Sequence, residues 1–133
     1  MVVIVEGKIR GKQRPKVFNG HGVTPKQTVE YENWVKLCYK EQDGRHLEGS
    51  IRARIEAHYR IPKSYAKGKR LACKHNITLP NKKPDIDNIT KIILDSLNTI
   101  AYEDDSQVVE LSVIKRWTED VERIEFELEE ITI

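Results

Sequence analysis

KPDIDNITKIILDSLNTIAYEDDSQVVELSVIK, residues 83–115, is the stretch on which the reading of this chain turns. It opens with Asp85 and Asp87, passes through a helical run, and ends in an acidic knot at Glu103, Asp104 and Asp105. Carboxylates two residues apart share a side only where the backbone is extended; on a helix they diverge. Pro84 disfavours helical geometry at Lys83, so the chain is expected to arrive extended, with both aspartates before or at a helix start. Ile86, Ile89, Ile93 and Leu97 make an apolar stripe that Ile92 and Ile100 widen, and Asn88, Lys91, Asp95 and Asn98 make a separate polar stripe. A third carboxylate returning from the far end of the helix would complete a hard-oxygen site for Mg²⁺ or Mn²⁺. Lys91, one turn after Asp87, can offset the acidic cluster, hold a phosphate oxygen, or stabilise charge developing in a transition state.

Each feature also has an ordinary reading. Asp85 and Asp87 suit an N-cap and a first helical turn. Glu103-Asp104-Asp105 suits a solvated turn, and Lys91 an exposed partner of Asp87 worth only about 0.3–0.5 kcal/mol. Convergence separates the readings: two like charges about 4 Å apart repel by roughly 4 kcal/mol at an effective dielectric near 20. Converging carboxylates therefore imply a bound cation or a raised pKa.

These residues resemble the RusA family of Holliday junction resolvases, whose pattern is K-P-D-x-D-N-(L/I)-x-K, then D-x-L-N, then D-D-x-Q-V and a later Lys. Lys83, Pro84, Asp85, Asp87, Asn88, Ile89, Lys91, Asp95, Leu97, Asn98, Asp104, Asp105, Gln107, Val108 and Lys115 all match it. The family often has Gly after the Leu-Asn pair; here Thr99 stands there, which bears on turn geometry and on no carboxylate. The resemblance implies a metal-dependent endonuclease acting on four-way DNA junctions as a homodimer. It assigns Asp85, Asp87 and Asp105 as metal ligands, Asp104 as a further ligand or outer charge, and Lys91 as the catalytic cation. Asn88 and Gln107 would hold the carboxylates in place. Mg²⁺ is the implied cofactor, with Mn²⁺ able to substitute.

At 133 residues, 38% hydrophobic and 33% charged, the chain fits one soluble globular domain. It has no signal-peptide pattern and no apolar run long enough to span a membrane, so a cytoplasmic location is expected. Cys38 and Cys73 are too few and too far apart for a zinc framework; one falls in a predicted helix and the other in a polar loop, and both read as reduced thiols. His21, His46, His58 and His75 show no metal-ligand spacing. The net charge of +2 hides an asymmetry: residues 1–80 hold 17 Lys and Arg against 7 Asp and Glu, and residues 81–133 hold 6 against 14. A basic half suits a grip on phosphate and an acidic half suits a cation, although the halves can also neutralise each other across a core.

Val3, Val5 and Ile9 share one face of a first strand within residues 1–10. Lys12, Arg14 and Lys16 form a basic turn, with Lys12, Arg14 and Pro15 matching a K-x-R-P run frequent in the family, and read as candidate phosphate contacts; Val17-Phe18 begins a short return strand. Thr24 is placed to cap a helix with Pro25 at its first position and Gln27 closing a capping box, and Tyr31, Trp34, Val35 and Cys38 form its core face. Residues 47–61 alternate as a long half-buried strand, with Arg52, Arg54 and Arg60 on the open face, available to a DNA backbone or simply solvated. Residues 62–80 read as a long basic loop, a flexible arm that orders on nucleic acid, in which Lys63, Lys67, Lys69, Arg70 and Lys74 would contact DNA and Tyr65 would stack on a base. Residues 107–117 read as a strand with Val109, Leu111 and Val113 inward. Lys115 lies about 33 Å beyond Asp105 along a straight strand, too far to share its site, and takes a phosphate, dimer or structural role. Ile124, Phe126 and Leu128 belong to a last antiparallel strand, with a change of register at Glu130 that brings Ile131 and Ile133 to the other face.

The fold class expected is a single α+β domain over residues 1–133, with a mixed or antiparallel sheet and two main helices. Two other functions fit the same residues: a protein that binds branched or single-stranded DNA without cutting it, and a structure-selective nuclease with another preferred substrate.

Overall fold

The computed structural model describes residues 1–13, 16–18 and 20–132. Arg14, Pro15 and Ile133, which figure in the expectations above, lie outside the described residues. Four strands form one sheet: β1 (Val3–Glu6), β4 (Ile51–Arg60), β5 (Val108–Thr118) and β6 (Arg123–Glu130), in the order β1-β6-β4-β5. β6 runs antiparallel to β1 and β4, whereas β4 and β5 are parallel. A parallel pair needs a crossover connection. Here the crossover carries two helices, α2 (Lys67–Lys74) and α3 (Ile86–Ser96), and it brings the acidic motif to the sheet. β2 (Lys16–Phe18) and β3 (His21–Val23) pair with each other as a separate ribbon, so the expected return strand does not join the main sheet.

The alternation of β4 is the frame of the core. Ile51, Ala53, Ile55, Ala57 and Tyr59 are buried on one face, beside Ile124, Phe126 and Leu128 of β6 and Val3 and Val5 of β1. Over them lie α1 (Lys26–Gln42), with Tyr31, Val35, Cys38 and Tyr39 inward, and α3, with Ile89, Ile92 and Ile93 inward and Leu97 at its end. Each large aliphatic side chain so covered stabilises the fold by roughly 1.5–3 kcal/mol relative to exposure. The opposite sheet face carries ions. Arg52 pairs with Glu110 and Glu129, and Arg54 lies 4.0 Å from Glu56 and from Glu127. Those arginines are engaged across the sheet, which makes this face a charge ladder.

Several local expectations are corrected. Residues 62–80 are not a structureless loop, because α2 occupies their middle and is a third helix among the described residues. Its Cys73 is buried against the core, like Cys38, and both thiols are free. Tyr65 packs edge-on against Trp117 at 6.2 Å, with the Lys69 ammonium 3.8 Å over its ring, so it is structural and not an open base platform. α1 starts one residue late: Pro25 is its N-cap and no side chain caps it. Trp34 is 42% exposed and donates Nε1–H to the Glu6 carbonyl, while Tyr39 takes the core position. β5 is an edge strand, which leaves Val109 and Leu111 exposed although they alternate as inward residues do. Ile86, counted in the apolar stripe, is exposed at the start of α3.

Candidate active site

The acidic motif is delivered by a segment fastened at several points. The Tyr59 hydroxyl donates to the Pro84 carbonyl at 3.3 Å, and the Lys115 ammonium donates to the Lys82 carbonyl at 2.6 Å. Lys115 therefore serves the Asp85 end of the motif. Burial lowers its pKa, and the charge of Asp85 opposes that shift. Asp85 occupies the N-cap of α3 in extended geometry, yet its side chain makes no capping hydrogen bond. An N-cap aspartate ordinarily satisfies a backbone N–H of the first turn. This one leaves its carboxylate exposed and available. Asp87 is the acid of the first turn, and both Asp87 and Lys91, one turn on, are exposed.

The second acidic knot is built on the short 3₁₀ turn Asp105–Gln107. Asp104 caps it, accepting from the Ser106 N–H at 3.0 Å, and this hydrogen bond lowers the Asp104 pKa. Gln107 accepts from the N–H groups of Glu103 and Asp104 at 2.9 and 3.1 Å and donates to the Gly49 carbonyl at 3.0 Å. It thus ties the acidic turn to the entry of β4. Asp105 is aimed by another residue: its N–H donates to Asn98 Oδ1 at 2.8 Å. Its pKa is raised by burial first, then by Asp95 and by the charge of Asp104.

Asp95 and Asn98 are therefore the residues around Asp105 that were not selected from the sequence. Their signal was present in the polar stripe of α3, which carries them to the end of the helix where the chain returns. Among the described residues no three His, Cys, Asp or Glu side chains gather into a metal cage. Asp85 and Asp87 stand at the start of α3, whereas Asp105 is held by Asn98 beyond the far end of that helix, so the expected ligands are not brought together among the described residues. Mg²⁺ binds through as few as one or two carboxylates and keeps its other positions for water and substrate phosphate.

The cationic residues divide by role. Lys12 lies inward, 2.9 Å from Glu32 and 3.6 Å from Asp95, and not on an open surface. Arg70 donates to the Pro62 carbonyl at 2.8 Å, and Lys74 pairs with Glu119 at 3.6 Å. Lys63 and Lys67 are exposed, and Lys16 opens β2. A cavity of about 390 Å³ opens beside Asp85, with Lys8, Arg10, Gln27, Lys83 and Asn88 in its wall. It offers a polyanion a basic approach to Asp85.

The profile of a known family, Endodeoxyribonuclease RusA, matches residues 6–129. The chain belongs to the RusA endodeoxyribonuclease family. It is also 30% identical over 128 residues to YqaN of Bacillus subtilis (strain 168), a protein described as uncharacterized; the match covers 92% of this chain and 89% of that one. Membership of RusA implies endodeoxyribonuclease activity and binding to DNA junctions. No helix among the described residues is long and apolar enough to cross a membrane.

Proposed function

We propose that this RusA-family protein is a Mg²⁺-dependent endonuclease that resolves four-way DNA junctions in recombination and repair, acting as a homodimer in the cytoplasm. The observation that carries the reading is an N-cap aspartate, Asp85, that does not cap its helix, on the same helix that leads to Asn98, whose Oδ1 accepts the Asp105 N–H. Asp85 and Asp87 would hold the ion at the start of α3, and Asp105 is the third expected ligand, with Asp104 as an outer charge. The ion would polarise the scissile phosphate and stabilise the leaving oxygen, and Mn²⁺ would serve in its place. Lys91 supplies a positive charge to the phosphoryl oxygens as negative charge builds on them during in-line attack by water. Asn98 and Gln107 hold the turn that carries Asp105, and Asn88 lies in the wall of the basic cavity beside Asp85. Lys63, Lys67 and the basic cavity rim would take the DNA backbone, which fixes position without reading sequence. A junction with two-fold symmetry must be cut on two strands, which two symmetry-related sites accomplish.

The test is nicking of a synthetic four-way junction by wild type with Mg²⁺, by wild type with EDTA, and by Asp87→Asn. Paired nicks from wild type with Mg²⁺ alone are expected. Junction binding by all three without any cutting, across several junction sequences, would move the non-catalytic DNA-binding reading ahead.

A further inference from the structure

α1 turns one of its faces to the end of β1. Gln27, Glu30, Tyr31 and Trp34 recur at i, i+3, i+4 and i+7, the spacing of a single helical face. They line a cavity of about 250 Å³ whose remaining wall is Glu6, Gly7, Lys8 and Arg10, the chain leaving β1. Lys8, Arg10 and Gln27 also line the cavity beside Asp85, so two cations stand between Asp85 and Trp34. A lone exposed aromatic is ordinary on a protein surface. This one is 42% exposed and also pinned, because its Nε1–H donates to the Glu6 carbonyl at 2.8 Å. A side chain already fixed loses little entropy when another ring stacks on it. Gly7, which takes φ +122°, leaves open space on the β1 side, since a Cβ there would meet nothing within 4 Å.

We propose that the cleft between β1 and α1 binds an unpaired nucleotide of the DNA substrate, with its base stacked on the Trp34 indole and its phosphate held by Lys8 and Arg10. The inference rests on the reading of the protein as a DNA-junction nuclease and needs no metal ion. The charges divide the cleft into two ends. Arg10 is oriented by the neutral amide of Gln27, its Nη1 donating to Oε1 at 3.4 Å, and that contact leaves its charge available to a phosphate. Glu6 and Glu30 stand in the wall of the Trp34 cavity and repel phosphate from it, Glu30 also lying 3.8 Å from Lys26. Their oxygens suit the amino groups that bases carry. Cations along the backbone followed by an aromatic platform are how single strands are held without sequence readout. Unstacking costs least where a base is already unpaired, which ties the cleft to a branch point or a single-stranded end.

The experiment uses the full chain in EDTA as wild type, Trp34→Leu, Trp34→Phe and Arg10→Gln. The probes are a short oligo(dA), the same strand carrying abasic sites, and a synthetic four-way junction, each titrated against salt. Tryptophan emission is followed as well, because the other tryptophan, Trp117, is buried. Oligo(dA) should quench the Trp34 emission, and Trp34→Phe should lose the quench while keeping most of the affinity. Trp34→Leu should weaken oligo(dA) binding by roughly 5–150-fold at an unchanged salt slope. Arg10→Gln should lower the slope by about 0.7 for the phosphate it releases. On the abasic strand Trp34→Leu and wild type should bind alike. Should Trp34→Leu fail to fold, the quench in wild type decides. The subsite alone is overturned if wild type binds the junction but not oligo(dA), if oligo(dA) binds without a quench, or if Trp34→Leu binds it as wild type does. A wild type that binds neither oligo(dA) nor the junction overturns the DNA reading and the subsite together.

Discussion

Asp105→Asn should make this protein more stable and inactive, and the metal should reverse the order of stability. The Asp105 pKa is raised in the fold, by burial first and then by Asp95 and Asp104. A carboxyl with a raised folded pKa destabilises the native state above its unfolded pKa of about 3.9, and the penalty disappears as pH falls below that value. The amide keeps the shape of the side chain and removes the charge. Two full charges about 4 Å apart repel by roughly 4 kcal/mol at an effective dielectric near 20. Asp105 is only partly buried, so solvent screening reduces the expected gain to about 1 kcal/mol. For a chain of 133 residues that corresponds to roughly 3–5 °C in Tm. In EDTA at neutral pH the variant should therefore melt above wild type, with the gap closing as pH approaches about 4. Mg²⁺ at ten times its Kd stabilises the form that binds it by about 1.4 kcal/mol, so wild type should overtake the variant when Mg²⁺ is added. Scanning calorimetry with and without Mg²⁺ reads both effects. A variant melting below wild type in EDTA at neutral pH would refute the reasoning, because the carboxylate would then be favourably placed with no cation present.

Thr99 has φ +68°, a left-handed conformation that a β-branched residue rarely takes, at the position where the family often carries Gly. Thr99→Gly should raise stability by about 0.5–1 kcal/mol in urea unfolding; a decrease would mean that the side chain holds the turn. Gln107→Ala removes the acceptor for two N–H groups of the acidic turn and its tie to Gly49. It should cost about 1–3 kcal/mol and speed hydrogen exchange at residues 103–105 while β4 stays protected. Lys63→Ala with Lys67→Ala should weaken junction binding and lower the salt slope by about 0.9 for each DNA phosphate no longer neutralised. Arg70→Ala, which frees the Pro62 carbonyl, should show mainly as reduced stability in the same samples.

The core was legible wherever periodicity and burial agree, as along Ile51 to Tyr59 and from Ile89 to Leu97. It misled where topology intervenes. Val109 and Leu111 alternate like core residues and are exposed because β5 ends up at the sheet edge, which no local pattern reveals. Trp34 fell on the predicted stripe, but its indole N–H finds the Glu6 carbonyl at the rim and Tyr39 fills the interior. α2 carries too weak an apolar pattern to be read as a helix, because its lysines and glycine leave Cys73 as its one fully buried side chain. In the candidate site, the family pattern marks Asp85, Asp87 and Asp105 along the chain. It does not mark Lys12 as a partner of Glu32 and Asp95, since those contacts form only when α1, α3 and the loop before β2 pack together.

The charge asymmetry between the two halves of the chain divides in the same way. Part of it is neutralised across the fold: Arg52 and Arg54 of the basic half meet Glu110, Glu127 and Glu129 of the acidic half, and Lys74 meets Glu119. These exposed pairs are screened by solvent and report little about function. The rest is not cancelled in this way. Asp95 shares Lys12 with Glu32, and Asp85 stands uncapped beside a cavity edged by Lys8, Arg10 and Lys83. A fold that needed only stability would cap its helix with Asp85. Leaving that carboxylate free next to a basic approach is the arrangement a site requires when a cation and a phosphate diester must meet in one place.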